Sequence, residues 1–128
     1  MDDVNLSAVN LAAALDTVTE HWSPRVVGRV NDQYVKVAKL LGEFVWHDHA
    51  DEDEMFLVVY GRLVIQIEDA DDVILNPGEM FVVPKGVRHN PIAVEECGVV
   101  LVETKTTKHT GDVIAAGTIP IERQLGGS

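Results

Sequence analysis

From Val26 onward, apolar residues come in short runs, each broken within a few positions by glycine, proline, asparagine or charged residues. In "RLVIQIE", Leu63, Ile65 and Ile67 alternate with Val64, Gln66 and Glu68, the two-residue period of a strand with one buried face. "RVVGRV" and "QYVKVAKLL" flank Asn31 and Asp32, a two-residue turn signal that predicts a hairpin. "EFVWH", "EMFLVVY", "DVILN", "EMFVV", "NPIAV" and "GVVLVET" predict further short strands. Turns are predicted between them at Gly42, Gly61, Ala70 and Asp71, Pro77 and Gly78, Lys85 and Gly86, and 96–98. No amphipathic helix interrupts these strands, so the pattern predicts an all-β sandwich or barrel, not a parallel α/β sheet.

Ahead of the strands the period changes. Leu11, Leu15, Val18 and Trp22 fall at i, i+4, i+7 and i+11, which is one helical face, and the neighbouring alanines favour helix. Asn10 can cap this helix, and Ser23 before Pro24 is biased away from it. The pattern predicts a helix over about 11–20, packed outside the barrel. The expected organisation is an N-terminal helical segment over 1–24, a β-barrel domain over 25–122 and a flexible tail over 123–128.

Charge narrows the partners. With 10 basic and 21 acidic residues among 128, the net charge is −11, which argues against nucleic acid and anionic membranes, since both need a basic face. The opening "MDDVNLSAVN" is acidic where a secretory leader needs a basic stretch, and no apolar run approaches the ~18 residues of a membrane span. The single cysteine, Cys97, rules out an intrachain disulfide, and "EECG" predicts a turn there with no role for the thiol. A cytoplasmic location and a small-molecule partner are expected.

The candidate chemistry is concentrated in "WHDHADEDE", residues 46–54. On a strand, His47 and His49 point to the same side, where two imidazoles can reach one metal ion at ~2.0–2.2 Å. Glu54 opens the next strand and is the expected carboxylate ligand, whereas Asp51, Glu52 and Asp53 are expected in a solvated turn. Turns at Pro77 and Gly78 and at 84–86 bring His89 back toward them. His21 and His109 have no such surroundings and are expected to be ordinary surface residues. The histidine pair alone fits an exposed acidic loop equally well, and the downstream spacing decides between the two.

That spacing resembles the cupin superfamily. "GEFVWHDHADEDEMFLVVYG", residues 42–61, is similar to its first motif: glycine, HxH, glutamate after four residues, glycine after six more. "GEMFVVPKGVRH", residues 78–89, is similar to its second: glycine, five residues, proline, one residue, glycine, two residues, histidine. The sequence departs at a supporting position, where the common asparagine is Ala93 and Asn90 is out of register. It also has one residue fewer between Gly42 and HxH than the commonest form. The resemblance implies a double-stranded β-helix, a jelly-roll-like barrel. It further implies that His47, His49, Glu54 and His89 hold one divalent transition metal: Fe, Mn, Ni, Co or Zn.

The implied function is a small metal-dependent enzyme of dioxygenase or isomerase/epimerase type, with a non-catalytic metal- or metabolite-binding module as the alternative. A storage protein would more often lose the ligands, and here all four are kept. Strand parity puts Val45 on the side of His47 and His49, with Phe44 and Trp46 facing away. It puts Phe56 and Val58 beside Glu54, and offers Phe81 and Val83 from the neighbouring strand as pocket lining. Glu103 shares the parity of Val99 and Leu101 and is a candidate buried base or hydrogen-bond partner. Lys36, Lys39 and Arg88 are candidate anchors for an anionic substrate. The hairpin strands over 26–41 present an edge that fits a homodimer formed by sheet extension.

Overall fold

Asn10 caps the helix as its chemistry predicts, its side chain accepting a 2.9 Å hydrogen bond from the Ala13 amide. In the computed structural model, which describes residues 6–104, that helix is α1 (Leu11–Asp16). It is shorter than predicted. Thr17, Val18 and Thr19 include two β-branched threonines and a valine that lose side-chain freedom in a helix, and the Thr17 hydroxyl instead closes the end on the Ala14 carbonyl at 2.7 Å. Val18 still packs on the sheet, but Trp22 leaves the helical face altogether, at φ 58°.

Seven strands follow: β1 (Arg25–Val30), β2 (Gln33–Glu43), β3 (Glu54–Tyr60), β4 (Leu63–Ile67), β5 (Val73–Leu75), β6 (Met80–Val83) and β7 (His89–Thr104). All their pairings are antiparallel. One path runs β1-β2-β7-β3-β6, and β4 joins β5 to the first part of β7. The β1–β2 hairpin turns at Asn31, whose φ of 54° is the left-handed conformation asparagine tolerates. The jelly-roll-like barrel expected from the sequence is therefore an antiparallel β-fold with one short N-terminal helix.

Three predicted boundaries differ. "NPIAV" and "GVVLVET" form one strand, β7, and Gly42 lies inside β2. The cause is one irregularity in their pairing: Leu40 faces Cys97, but Gly42 faces Ala93, so the residues predicted as turns lie at the edges of a bulge. Cys97 is accordingly buried in the core and not in a turn, and burial raises its thiol to about 11. Third, residues 44–46 of "EFVWH" are in no strand, and His47 makes only an isolated bridge to His89.

Alternation sorts the two faces of the sheet. Ala38, Leu40, Phe56, Val58, Leu63, Ile65, Val99 and Leu101 point into the barrel, where Cys97 also packs. Val37 and Val100 point outward and are covered by Leu15 and Val18. The same parity turns Lys36, Glu54 and Glu103 inward, and all three are buried. Among the described residues no helix is long and apolar enough to cross a membrane. His109, the predicted boundary at 122–123 and the predicted tail fall outside the described residues.

Candidate metal centre

An isolated bridge and one further backbone bond bring the two motif segments together. His47 and His89 exchange amide-to-carbonyl hydrogen bonds of 3.0 and 2.9 Å, and the Gly86 amide donates to the His49 carbonyl at 2.8 Å. The Asp53 carboxylate accepts from the Lys85 amide at 2.9 Å. Thus one acid of the predicted solvated turn is a tie between the two loops, and Glu52 is half-buried. Glu54 stands at the first position of β3, facing inward.

Four side chains converge: His47, His49, Glu54 and His89 each bring a ligand atom within 4.8 Å of the others, and all are buried. His47 Nδ1 donates to the Val45 carbonyl at 2.8 Å, and His89 Nδ1 to the Val87 carbonyl at 2.9 Å. These bonds fix the ring orientation and the tautomer, leaving both Nε2 atoms as acceptors with no hydrogen-bond partner. Buried acceptors without partners are uncommon, and here two of them border one carboxylate. Glu54 Oε1 lies 3.2 Å from His49 Nε2 and 3.7 Å from His89 Nε2. The donor set is mixed nitrogen and oxygen and pre-oriented, so it fits a divalent transition metal.

Electrostatics agree. Burial, aided by neighbouring His89, lowers His47 to about 4, so at neutral pH it is the unprotonated imidazole a metal requires. Burial also acts to lower His49, but the hydrogen bond and charge of Glu54 outweigh it and raise this histidine. Against its own burial, Glu54 is held well below the usual carboxylate range, by its hydrogen bond to His49 foremost. An ion pair lies behind this carboxylate: Lys36 Nζ is 2.7 Å from Glu103 Oε1, and both side chains are fully buried. Burial and the facing Glu54 push Glu103 up, and Lys36 opposes them.

A cavity of about 30 Å³ opens beside His47 and Glu54, walled by Trp22, Leu40, Phe44, Phe56, Pro91 and Leu101 among others. Of the predicted lining, only Phe56 is in this wall; Val58 and Val83 are buried core residues, and Phe81 packs half-buried against them. Phe44 was expected to face away, yet it lies in the wall, stacked on Trp22 at 4.5 Å between ring centroids and edge-on to His47 at 5.6 Å. Parity fails there because residues 44–46 are not in a ladder. Trp22, which no sequence signal placed near the site, is held by its Nε1 donating to the Leu41 carbonyl at 2.8 Å.

The candidate anion anchors are committed elsewhere. Lys36 is paired with Glu103, and Arg88 sits at the surface, 5.8 Å from the Trp46 ring and 3.6 Å from Glu68. Lys39 is outside the cavity wall. His21 is exposed as expected but not isolated, since its Nε2 meets Glu96 at 2.9 Å. Asn90 is fully buried and donates to Glu43 at 2.9 Å and Gln66 at 3.2 Å, tying β7 to β2 and β4; the departure from the motif asparagine did not reveal this tie.

Comparison with known proteins gives consistent relatives. A cupin domain family model matches residues 34–104. The chain is 36% identical over 80 residues to the uncharacterized protein YdbB of Bacillus subtilis, covering 62% of this chain and 71% of that protein. It is 35% identical over 82 residues to the acireductone dioxygenase of Bacillus licheniformis, covering 61% of this chain and only 46% of that enzyme. In three dimensions it is similar to a cupin-2 domain containing protein from Shewanella frigidimarina, with a TM-score of 0.73 and 45% identity over 76% of this chain and 94% of that one.

Proposed function

This chain belongs to the cupin domain family, and on that footing we propose that it is a metal-dependent dioxygenase acting on a small molecule. His47, His49, Glu54 and His89 would hold one divalent ion of Fe, Mn, Ni, Co or Zn. The observation that carries the reading is the pair of buried, unpartnered Nε2 atoms of His47 and His89 beside the Glu54 carboxylate. With four protein ligands, such an ion keeps open positions for Lewis-acid or oxygen chemistry. The resemblance to acireductone dioxygenase favours oxygen chemistry over isomerisation, and it spans under half of that enzyme.

The chain's own residues define the rest of the reading. The Nδ1 hydrogen bonds to Val45 and Val87 hold two imidazoles in register without help from a ligand. Apolar side chains of Leu40, Phe56 and Leu101 line the cavity beside the ligand atoms. The cavity accommodates roughly two water-sized bodies, and the Trp22–Phe44 stack forms part of its wall. Domain limits at residues 25 and 122, and a homodimer extended at β1, belong to the same proposal. Among the described strands, β1 pairs with β2 alone, and Val30 on it is exposed.

The test begins with metal analysis of protein purified without a histidine tag, then anaerobic loading with Fe(II) and oxygen uptake with a panel of acireductones and other small enediols. Stoichiometric metal and substrate-dependent uptake are expected, with His49→Ala losing the metal but keeping its far-UV circular dichroism. Metal retained by His49→Ala at full stoichiometry refutes the ligand set. Metal held without oxygen uptake across the panel leaves the non-catalytic binding module.

A further inference from the structure

One part of the cavity wall comes from the segment ahead of the strands. Trp22 lies between α1 and β1, and its φ of 58° puts a bulky side chain on left-handed backbone. Such a conformation is costly and persists only where neighbouring contacts hold it. Here the contacts come from three strands. The Trp22 amide donates to the Lys39 carbonyl of β2 at 2.9 Å, and Trp22 Nε1 donates to the Leu41 carbonyl at 2.8 Å. The preceding His21 forms an isolated bridge with Lys39, and its Nε2 meets Glu96 of β7 at 2.9 Å. That carboxylate also accepts from the Tyr60 hydroxyl of β3 at 2.8 Å. The result is an indole stacked on Phe44 and set in the wall that His47 and Glu54 share.

All four candidate ligands lie within residues 34–104, the part that matches the family model, whereas Trp22 and Pro24 lie before it. The matched frame thus holds the ligand atoms, and a segment from outside the match borders their cavity. Among the described residues, His47 and Glu54 are the only ionisable side chains in this wall, so the rest of it meets a ligand with apolar surface. We propose that Trp22 is a specificity-determining residue of the metal centre: its indole limits the cavity to compact molecules, those that bring a small chelating head and a small apolar body to the ion. This rests on the metal reading above and deepens it by naming the size class of the ligand. Trp22 is not a ligand in this scheme, and its strained backbone serves to set the indole where a larger body would have to sit.

The role predicts a gain of binding on removing the indole, which a merely structural tryptophan would not give. Two probes share one chelating head of two oxygens and differ only in body: acetohydroxamate carries a methyl group and benzohydroxamate a phenyl ring. Their affinities for the Co(II)-loaded protein are read from the visible absorption of the ion, for wild type and Trp22→Ala. Wild type is expected to prefer acetohydroxamate. Trp22→Ala should bind benzohydroxamate at least about tenfold more tightly than wild type does, with acetohydroxamate and Co(II) itself each held within about threefold, as expected when only the room for an apolar body changes. If Trp22→Ala does not fold, Trp22→Leu, which keeps an apolar cover on the core, decides by the same comparison. Unchanged or weakened benzohydroxamate binding, or an equal gain for both probes, overturns the proposal. A wild-type protein that takes up no Co(II) overturns this proposal and the metal reading together, whereas Co(II) uptake without the selective gain overturns this proposal alone.

Discussion

His47 shows how a single buried imidazole writes itself into the stability of the whole chain. Its ordinary value is 6.5 and burial lowers it to about 4 in the fold. As pH falls below 6.5 the unfolded chain gains a proton at this position that the folded chain refuses, so stability declines until about pH 4 and is flat below. The integrated loss is about 3 kcal/mol. His49 acts in the opposite direction: its raised value gives stability that is present below 6.5 and lost as pH rises through the folded value. Together these two histidines therefore contribute most to the stability of metal-free protein near pH 6.5. Urea melts between pH 4 and 8 check this, and a His47→Asn variant that keeps the full acid-side decline would contradict it. The four clustered residues were legible in the sequence because two spacings had to agree. Trp22 and Phe44 were not, since the parity rule assumes a ladder that residues 44–46 lack.

Among the elements, the strands kept their identity but not their ends. Turn residues read as breaks at Gly42 and 96–98 proved to be the two sides of one bulge, which sequence cannot distinguish from a turn because both use the same residues. Turns at Gly61 and Gly78 held, and they hold for different reasons. Both have positive φ, 81° and 86°, but a Cβ on Gly61 would stand 2.6 Å from the Glu96 carbonyl oxygen, whereas Gly78 has nothing within 4 Å. Gly78→Ala should cost only the conformational strain, about 1 kcal/mol, and Gly61→Ala about 2 kcal/mol or more, because the β7 bulge must shift as well. Equal midpoints for the two variants in denaturant would mean that the bulge yields freely. The helix was legible at its start, where Asn10 supplies a side-chain cap, and not at its end, where β-branched residues unwound a pattern that hydrophobic spacing continued.

At the scale of the molecule, the edge of β1 that no other described strand pairs with predicts a dimer. Light scattering at micromolar protein in ~0.15 M salt should give twice the 14.0 kDa chain mass. A monomer that stays so at tenfold higher concentration would contradict it. Strand β7 has a consequence of another kind. It pairs with β2, β3 and β4, begins with His89 and ends beside Glu103, yet it is the last of the described strands to be synthesised. Until it emerges, β2 and β3 have no partner between them, and β4 has only the three-residue β5. A growing chain thus carries three separate strand pairs, β1–β2, β3–β6 and β4–β5, with nothing to join them into one sheet until β7 emerges, the kind of exposure that recruits chaperones. Chains ended at Arg88 should lack cooperative unfolding and slow hydrogen exchange, while chains ended after Thr104 should regain both. A protected core in the shorter chain would show that assembly starts elsewhere. If it does not, then translation speed after residue 88 sets how long these separate pairs stay exposed before the strand that joins them arrives.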